Sequence, residues 1–141
     1  MLFRQKRFYV DTSVWRDYLE DRSDGLRPLG LFAFQFFQYC NKNKCVVYYS
    51  DLVVKELLKR FTEEEIASGF SIIEPAFLYM LNISPSATTE AGTLMQKKGI
   101  HQSDAIHATL AKEAGATLIS RDAHFNEVNE FVEVKTPEEI I

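Results

Sequence analysis

The sequence predicts an α/β protein in which helices cover both faces of a mainly parallel central sheet. The first observation behind this prediction is that short β-forming segments alternate with helical segments, joined by short loops. Neighbouring parallel strands need a crossover connection, which is usually a helix. The second observation is size, because 141 residues with 46% hydrophobic content suffice to bury one core. We therefore expect a single domain over residues 1–141.

The first unit is a strand followed at once by a helix. Residues 7–11, RFYVD, place three β-forming residues in succession and end on Asp11. Asp11, Thr12 and Ser13 are each suited to cap the next helix, which the four-residue spacing of its apolar side chains predicts over 14–20. A carboxylate at the end of a buried strand calls for a functional explanation.

A second helix is predicted from Arg27, with Pro28 in its first turn. Its segment from Leu29 to Cys40, LGLFAFQFFQYC, is apolar around almost its whole circumference. Such a helix is either enclosed by the core or contacts a partner chain with part of its surface. In both cases we expect none of its sides to face water.

The later segments continue the alternation. A strand over 45–50 precedes a helix over 51–61, and a further helix over 63–76 is broken near Gly69 or Pro75. Residues 78–83 are predicted as a strand, with the tail of the preceding helix as the alternative. The elements that follow are a helix between Ser84 and Gly99, a helix from the N-cap Ser103 to Gly115, a strand over 116–122, and a strand over 131–135 before a turn opened by Pro137.

Charge and targeting signals limit the classes of function. A net charge of −4 and a pI near 5.4 argue against binding nucleic acid through a broad basic surface. They are compatible with an enzyme whose acidic pocket holds cations that meet phosphates. The sequence shows no apolar run of membrane-spanning length, and its N-terminus lacks the apolar region of a signal peptide. We expect a cytoplasmic protein without membrane contact.

Four acids stand out by their positions. Asp11 and Asp122 end predicted strands, Glu56 lies among apolar residues after the second strand, and Asp104 lies in the first turn of a helix. Functional groups of parallel sheets gather beyond the carboxyl ends of the strands, so we expect these acids to converge. Convergent carboxylates bind protons or cations, and oxygen ligands favour Mg²⁺ or Mn²⁺. Such a cation activates water and stabilises charge on a phosphoryl group, as in metal-dependent nucleases.

Each acid also has a purely structural explanation. Asp11 and Asp104 are suited to cap helices, Glu56 to an exposed helix position, and Asp122 to an Asx turn before His124. Taken together, two acids at one sheet edge are harder to explain in this way. Nearby, Asp17 is expected to be an exposed helix acid. The three histidines show no four-residue helical pair and no cysteine partner, which argues against a zinc site.

In order along the chain, Asp11 with two hydroxyl residues, Glu56 in LVVKELLKR, Asp104 in HQSDAIHATLA and Asp122 in LISRDAHF resemble the PIN domain family. The resemblance covers almost the entire chain. Its most specific parts are the segment around Asp104 and the ending over 122–137.

The resemblance implies an α/β/α sandwich and an Mg²⁺- or Mn²⁺-dependent ribonuclease that hydrolyses RNA with a metal-activated water. Matched position by position, Asp11, Glu56, Asp104 and Asp122 correspond to the family's catalytic, metal-binding acids. Thr12 or Ser13 corresponds to a hydroxyl that supports the site. The alternatives are a catalytically inactive PIN-like module that binds RNA or protein, and a phosphohydrolase of another α/β fold, whose DxD motif is absent after strand one.

Single-domain members of this length are commonly VapC-type toxins, so the resemblance also implies an RNA substrate and a cognate antitoxin protein. The apolar helix from Leu29 to Cys40 is the candidate antitoxin contact, an expectation that fails if the helix is fully buried. Family members often form homodimers, and the sequence does not fix the assembly. Where the family often has an Asp or Asn beside the last acid, this chain has Ser120 and Arg121. Arg121 either meets a substrate phosphate or pairs with a carboxylate.

Overall fold

The computed structural model describes residues 5–141 and contains a five-stranded sheet in the order β3-β2-β1-β4-β5. Every pair of neighbouring strands is parallel, which confirms the predicted fold class. The strands are β1 (Arg7–Val10), β2 (Val46–Ser50), β3 (Leu78–Leu81), β4 (Thr117–Ile119) and β5 (Val134–Lys135).

Helices occupy the connections from β1 to β4, and a short helix follows β5. They are α1 (Thr12–Glu20), α2 (Leu29–Lys42), α3 (Asp51–Leu57), α4 (Glu63–Phe70), α5 (Pro85–Lys98), α6 (Gln102–Glu113) and α7 (Pro137–Ile140). From β1 to β3 the chain moves across the sheet in one direction, and the next crossover returns past β1 to β4. Because such crossovers are right-handed, α1 to α4 lie on one face and α5 and α6 on the other. In the part of the chain that the structure describes, no helix has the length and apolar character needed to cross a membrane.

The reversal of strand order places a crevice at the carboxyl ends of β1 and β4. These two strands are neighbours, and the pairing continues one residue past β1, where the Asp11 N–H donates to the Ile119 carbonyl at 2.9 Å. In open parallel sheets, ligands bind at such a reversal. The fold therefore directs attention to the residues that follow β1 and β4.

The core beneath α1 fixes the residues that open this helix. Trp15 is fully buried and packs against Phe37 of α2 and Phe70 of α4, with ring centroids 4.5 and 4.3 Å apart. On the sheet below, Phe8 contacts the edge of the Phe36 ring at 5.3 Å. Aromatic pairs of this kind add to the burial of apolar area. The first turn of α1 is thus anchored on a packed interior.

Several predicted element bounds are wrong in detail. The strand expected over 116–122 ends at Ile119, and Asp122 instead caps a short 3₁₀ turn over Ala123–Val128. The helix expected over 51–61 ends at Leu57, and the N-cap of α6 is His101, two residues before the predicted cap Ser103. Both caps of α5 are as predicted: the Ala87 N–H donates to Ser84 Oγ at 3.0 Å, and Gly99 ends the helix with φ +66°.

The apolar helix α2 is buried on only one side, so the expectation that no side faces water is wrong. Its buried positions face α1 and α7, whereas Leu31, Gln35 and Gln38 are exposed. The two glutamines break the apolar circumference and mark the outer side of the helix. Leu31 remains 45% exposed, and Leu26 in the preceding turn is fully exposed.

Candidate active site

Within residues 5–141, all hydrogen bonds to the Asp11 carboxylate end on one of its two oxygens. Its Oδ2 accepts from Ser13 Oγ at 2.8 Å, from Ser120 Oγ at 2.9 Å and from the Ser13 N–H at 3.4 Å. The Oδ1 atom points instead towards His107, whose Nε2 is 3.6 Å away. Asp11 caps α1 and is only 5% exposed, so its position is rigid. One oxygen of Asp11 is thereby left for another ligand.

Glu56 is arranged in the same way. Its Oε1 accepts from Thr12 Oγ1 at 2.8 Å and from His107 Nε2 at 2.7 Å. Burial alone would raise the pKa of Glu56, but the His107 and Thr12 hydrogen bonds outweigh it and lower that pKa. Among the described residues, no side chain donates to Oε2. Glu56 is therefore a carboxylate at neutral pH with one oxygen still available.

His107 joins these two acids from within the core, a role that the sequence did not reveal. Its side chain is 2% exposed, and its Nδ1 lies 2.7 Å from Tyr9 Oη, on the central strand β1. Burial acts to lower the pKa of His107, but the hydrogen bond that it donates to Glu56 and the charge of Asp11 raise it. The one available signal was spacing, since His107 follows Asp104 by three residues and so shares its helix face.

Asp104 and Asp122 meet at the rim of the crevice. With His124, they can each offer an atom such that all three atoms lie within 4.8 Å of one another. His124 Nδ1 is 3.1 Å from Asp122 Oδ1 and 4.0 Å from Asp104 Oδ2. The Asx turn expected as the structural explanation of Asp122 is also present, because the His124 N–H donates to its Oδ1 at 2.9 Å.

The pair Asp11 and Glu56 and the pair Asp104 and Asp122 are close enough for their charges to interact. Burial raises the pKa of Asp104, and the charges of Asp122 and Asp11 raise it further. The aspartates that follow β1 and β4 therefore act on the acid of α6 across the crevice. Glu56 is connected to Asp11 by His107, whose Nε2 lies 2.7 Å from Glu56 Oε1 and 3.6 Å from Asp11 Oδ1.

These residues fit a hard divalent cation. The donors are carboxylate oxygens together with the imidazole of His124 at the rim, and Mg²⁺ and Mn²⁺ prefer such oxygen-rich sets. Asp11 Oδ1 and Glu56 Oε2 are left open by their hydrogen bonds. The repulsion that raises the pKa of Asp104 is the kind that a bound cation relieves.

Arg121 pairs with carboxylates, one of the two roles considered for it. Its guanidinium donates to both carboxylate oxygens of Glu138 on α7, at 2.7 and 2.5 Å, and its Nε lies 3.4 Å from Asp17 Oδ2. Asp17 is only 3% exposed, so the expectation of an exposed helix acid is wrong. Burial raises the pKa of Asp17 although Arg121 and Arg22 oppose this. The Arg121 side chain therefore ties the loop after β4 to α1 and α7.

The pair of Arg121 and Glu138 predicts a pH-dependent stability difference. The hydrogen bond from Arg121 lowers the pKa of Glu138 below the ordinary value of a glutamate. A depressed folded-state pKa stabilises the fold above the unfolded pKa, and this contribution is lost as the pH falls through the folded pKa. We expect Glu138→Gln to cost about 1 kcal/mol at pH 7 and progressively less below about pH 4.5, measured by urea unfolding.

The matched control is Glu130→Gln, which removes an exposed acid from the turn before β5. It should change the free energy of unfolding by less than about 0.5 kcal/mol at either pH. A Glu138→Gln cost that stays constant from pH 7 to pH 3 would contradict the assigned ion pair.

Comparisons with known proteins bear on this site. The family model of the PIN domain matches residues 8–130. Among solved structures, the chain is similar to VapBC2 from Rickettsia felis bound to promoter DNA, at 19% identity and a TM-score of 0.67, over 92% of this chain and 98% of that one. It is also similar to a toxin-antitoxin complex from Klebsiella pneumoniae, at 18% identity and a TM-score of 0.64, over 92% and 96% of the two chains.

A third similar structure is VapC20 from Mycobacterium tuberculosis, described as a toxin that cleaves the sarcin-ricin loop. Its identity is 15% and its TM-score 0.62, over 84% of this chain and 92% of that one. At these identities the likeness is one of fold. No curated protein sequence matches the chain closely enough to count as a relative.

Proposed function

Because this chain belongs to the PIN domain family, we propose that it is an endoribonuclease that uses Mg²⁺ or Mn²⁺ to hydrolyse RNA phosphodiester bonds. The observation that carries the proposal is the coupling of four acids around one crevice. Asp11 and Glu56 both lie within 4.0 Å of His107, and Asp104 and Asp122 both lie within 4.0 Å of His124. The negative charge of Asp11 also raises the pKa of Asp104. The proposed nuclease domain spans residues 1–141.

In this proposal Asp11, Glu56, Asp104 and Asp122 hold the cation. When bound, the cation offsets the negative charge of the phosphodiester and makes water a better nucleophile. The protein's own contribution is to fix these carboxylates: Ser13 and Ser120 hold Asp11, and Thr12 holds Glu56. Each hydroxyl bonds to only one oxygen of its acid, so Asp11 Oδ1 and Glu56 Oε2 are left for the cation. Ligands fixed in advance lose little freedom when the cation and substrate bind.

The test of this proposal is removal and return of the metal. Purified protein should cleave an RNA mixture with Mg²⁺ or Mn²⁺, lose that activity in EDTA, and regain it when the cation is returned in excess. Oxygen ligands hold these ions reversibly, so full recovery is expected. Cleavage that persists in EDTA would reject the metal-dependent mechanism. Absence of Mn²⁺ binding in calorimetry would favour the alternative, an inactive PIN-like module that binds RNA or protein.

We also propose that the protein is a toxin held inactive by an antitoxin. Support comes from the similar structure described as a toxin-antitoxin complex and from the exposed apolar side chains beside α2. Leu26 is fully exposed and Leu31 is 45% exposed, and apolar patches of this kind mark protein interfaces. We place the antitoxin on this surface, the Leu26–Leu31 patch.

Expression of the chain should arrest bacterial growth, and co-expression of a small protein from a neighbouring reading frame should relieve the arrest. Leu26→Asp with Leu31→Asp should weaken that complex at least about tenfold, because charges at the centre of an apolar interface are costly. The control is Leu58→Asp, on the turn after α3, where the leucine is 44% exposed. Equal weakening by the patch variant and the control would reject this surface.

A further inference from the structure

A chain of hydrogen bonds runs through the core behind Glu56. Ser50 Oγ lies 2.7 Å from Tyr9 Oη, which lies 2.7 Å from His107 Nδ1, and His107 Nε2 lies 2.7 Å from Glu56 Oε1. These four side chains come from β2, β1, α6 and α3. The first three residues are each at most 2% exposed. The hydrogen bonds between them are therefore shielded from water, and only the Glu56 end is accessible.

The direction of donation is fixed for the hydrogen bond between His107 and Glu56. An ionised carboxylate only accepts, so the proton between His107 and Glu56 lies on His107 Nε2. The other ring nitrogen, Nδ1, accepts from Tyr9 Oη when the ring is neutral and donates to it when the ring is charged, so the hydrogen bond between Tyr9 and His107 is kept in both states. Ser50 is free to donate its proton because its oxygen accepts the Val53 N–H, at 3.2 Å, as the N-cap of α3. Every member of the chain then has a partner.

The geometry points to His107 as a positioning residue for Glu56, with Tyr9 and Ser50 fixing the orientation of its ring. This inference rests on the proposed function, since it concerns how Glu56 is presented to the cation. Ser50 acts twice in this arrangement, because it caps the helix that carries Glu56 and also begins the hydrogen-bond chain to the Glu56 side chain. The backbone and the carboxylate of Glu56 are thereby fixed from the same residue.

A role in packing alone does not explain these polar groups. A buried imidazole and phenol must give up water, and apolar side chains of similar shape would fill the same space without that cost. The gain is that Oε1 is occupied, because it accepts from both His107 and Thr12. Oε2 has no donor among the described side chains and would be the oxygen that Glu56 offers to a cation. Groups that orient metal ligands in this way commonly affect metal affinity by about 10- to 100-fold.

Two substitutions of His107 separate positioning from packing. His107→Gln can place an amide N–H near the original Nε2, whereas His107→Asn is too short to reach Glu56 and keeps a polar group only near Nδ1. We expect His107→Asn to weaken Mn²⁺ binding about 10- to 100-fold, and His107→Gln to retain most of the affinity. Titration calorimetry of the metal-free protein measures this without reference to activity.

Tyr9→Phe tests the same chain one step further from the metal. It keeps the buried ring and removes only the hydroxyl, so we expect Mn²⁺ affinity and cleavage rate both to fall about threefold to tenfold. The control is Tyr49→Phe, because the Tyr49 ring packs on Phe70 with centroids 4.6 Å apart, away from His107. This control should leave both quantities at wild-type values.

The outcomes separate this inference from the proposed function. Metal-dependent cleavage by the wild-type protein tests the function itself, and its absence would overturn both proposals. If the wild type cleaves RNA but Tyr9→Phe and His107→Asn match it in Mn²⁺ affinity and rate, the positioning role is overturned and the nuclease remains. Should His107→Asn fail to fold, Tyr9→Phe against Tyr49→Phe decides the question.

Discussion

Replacing Asp104 by Asn should lower the RNA cleavage rate by a factor on the order of 100 or more without destabilising the metal-free protein. Asn has nearly the same shape but is a much weaker ligand for a hard cation. In the metal-free protein the change should be neutral or stabilising, because burial and the charges of Asp122 and Asp11 already raise the pKa of Asp104. Removing the Asp104 charge relieves that repulsion. The measurements are single-turnover cleavage at saturating Mg²⁺ and thermal unfolding in EDTA.

The paired readout makes the Asp104 prediction specific. A residue needed only for folding would lose activity and stability together, whereas Asp104→Asn should lose activity alone. The control is Glu113→Gln, which removes one exposed charge from the other end of the same helix. It should change neither measurement appreciably. Wild-type cleavage by Asp104→Asn would remove Asp104 from the site.

The acids proposed for the site could be selected from the sequence because their signals are local. Asp11 directly follows a strand pattern, and Asp104 lies in the first turn of a helix. In both cases a few neighbouring residues suffice to mark the acid as a candidate. The parallel fold then supplies their convergence, because strand ends of such a sheet share one edge. Asp122 was assigned to the right edge for a partly wrong reason, since β4 ends three residues earlier and a 3₁₀ turn places the side chain.

His107, Tyr9 and Asp17 could not be assigned from the sequence because their roles depend on residues far along the chain. Tyr9 lies among apolar neighbours and has the pattern of a core residue, yet its hydroxyl meets His107, 98 positions later. The sequence around Asp17 has the pattern of a surface acid. Its burial is explained only by Arg121, which lies 3.4 Å away in the folded protein and 104 positions later in the chain. A buried polar residue is explained by its partner, and local pattern does not identify partners.

Replacing Trp15 by Ala should cost about 3 to 5 kcal/mol of unfolding free energy and lower the melting temperature by roughly 10 °C or more. Trp15 is fully buried between Phe37 and Phe70, so the truncation leaves a cavity that rigid aromatic neighbours cannot fill. Urea unfolding followed by circular dichroism measures the loss. Leu26→Ala is the control, since Leu26 is fully exposed and should cost less than about 0.5 kcal/mol.

Trp15→Phe refines this prediction. The indole Nε1 is buried and, among the described residues, donates to no acceptor, which costs stability in the wild-type protein. Phe removes this unpaired donor and keeps one aromatic ring against Phe37, so its cost should be about 2 kcal/mol smaller than that of Ala. Because Trp15 also anchors the helix whose first turn holds Asp11 through Ser13, folded Trp15→Ala protein should bind Mn²⁺ more weakly than Trp15→Phe. Equal stabilities for the two variants would mean that the ring packing contributes nothing to the fold.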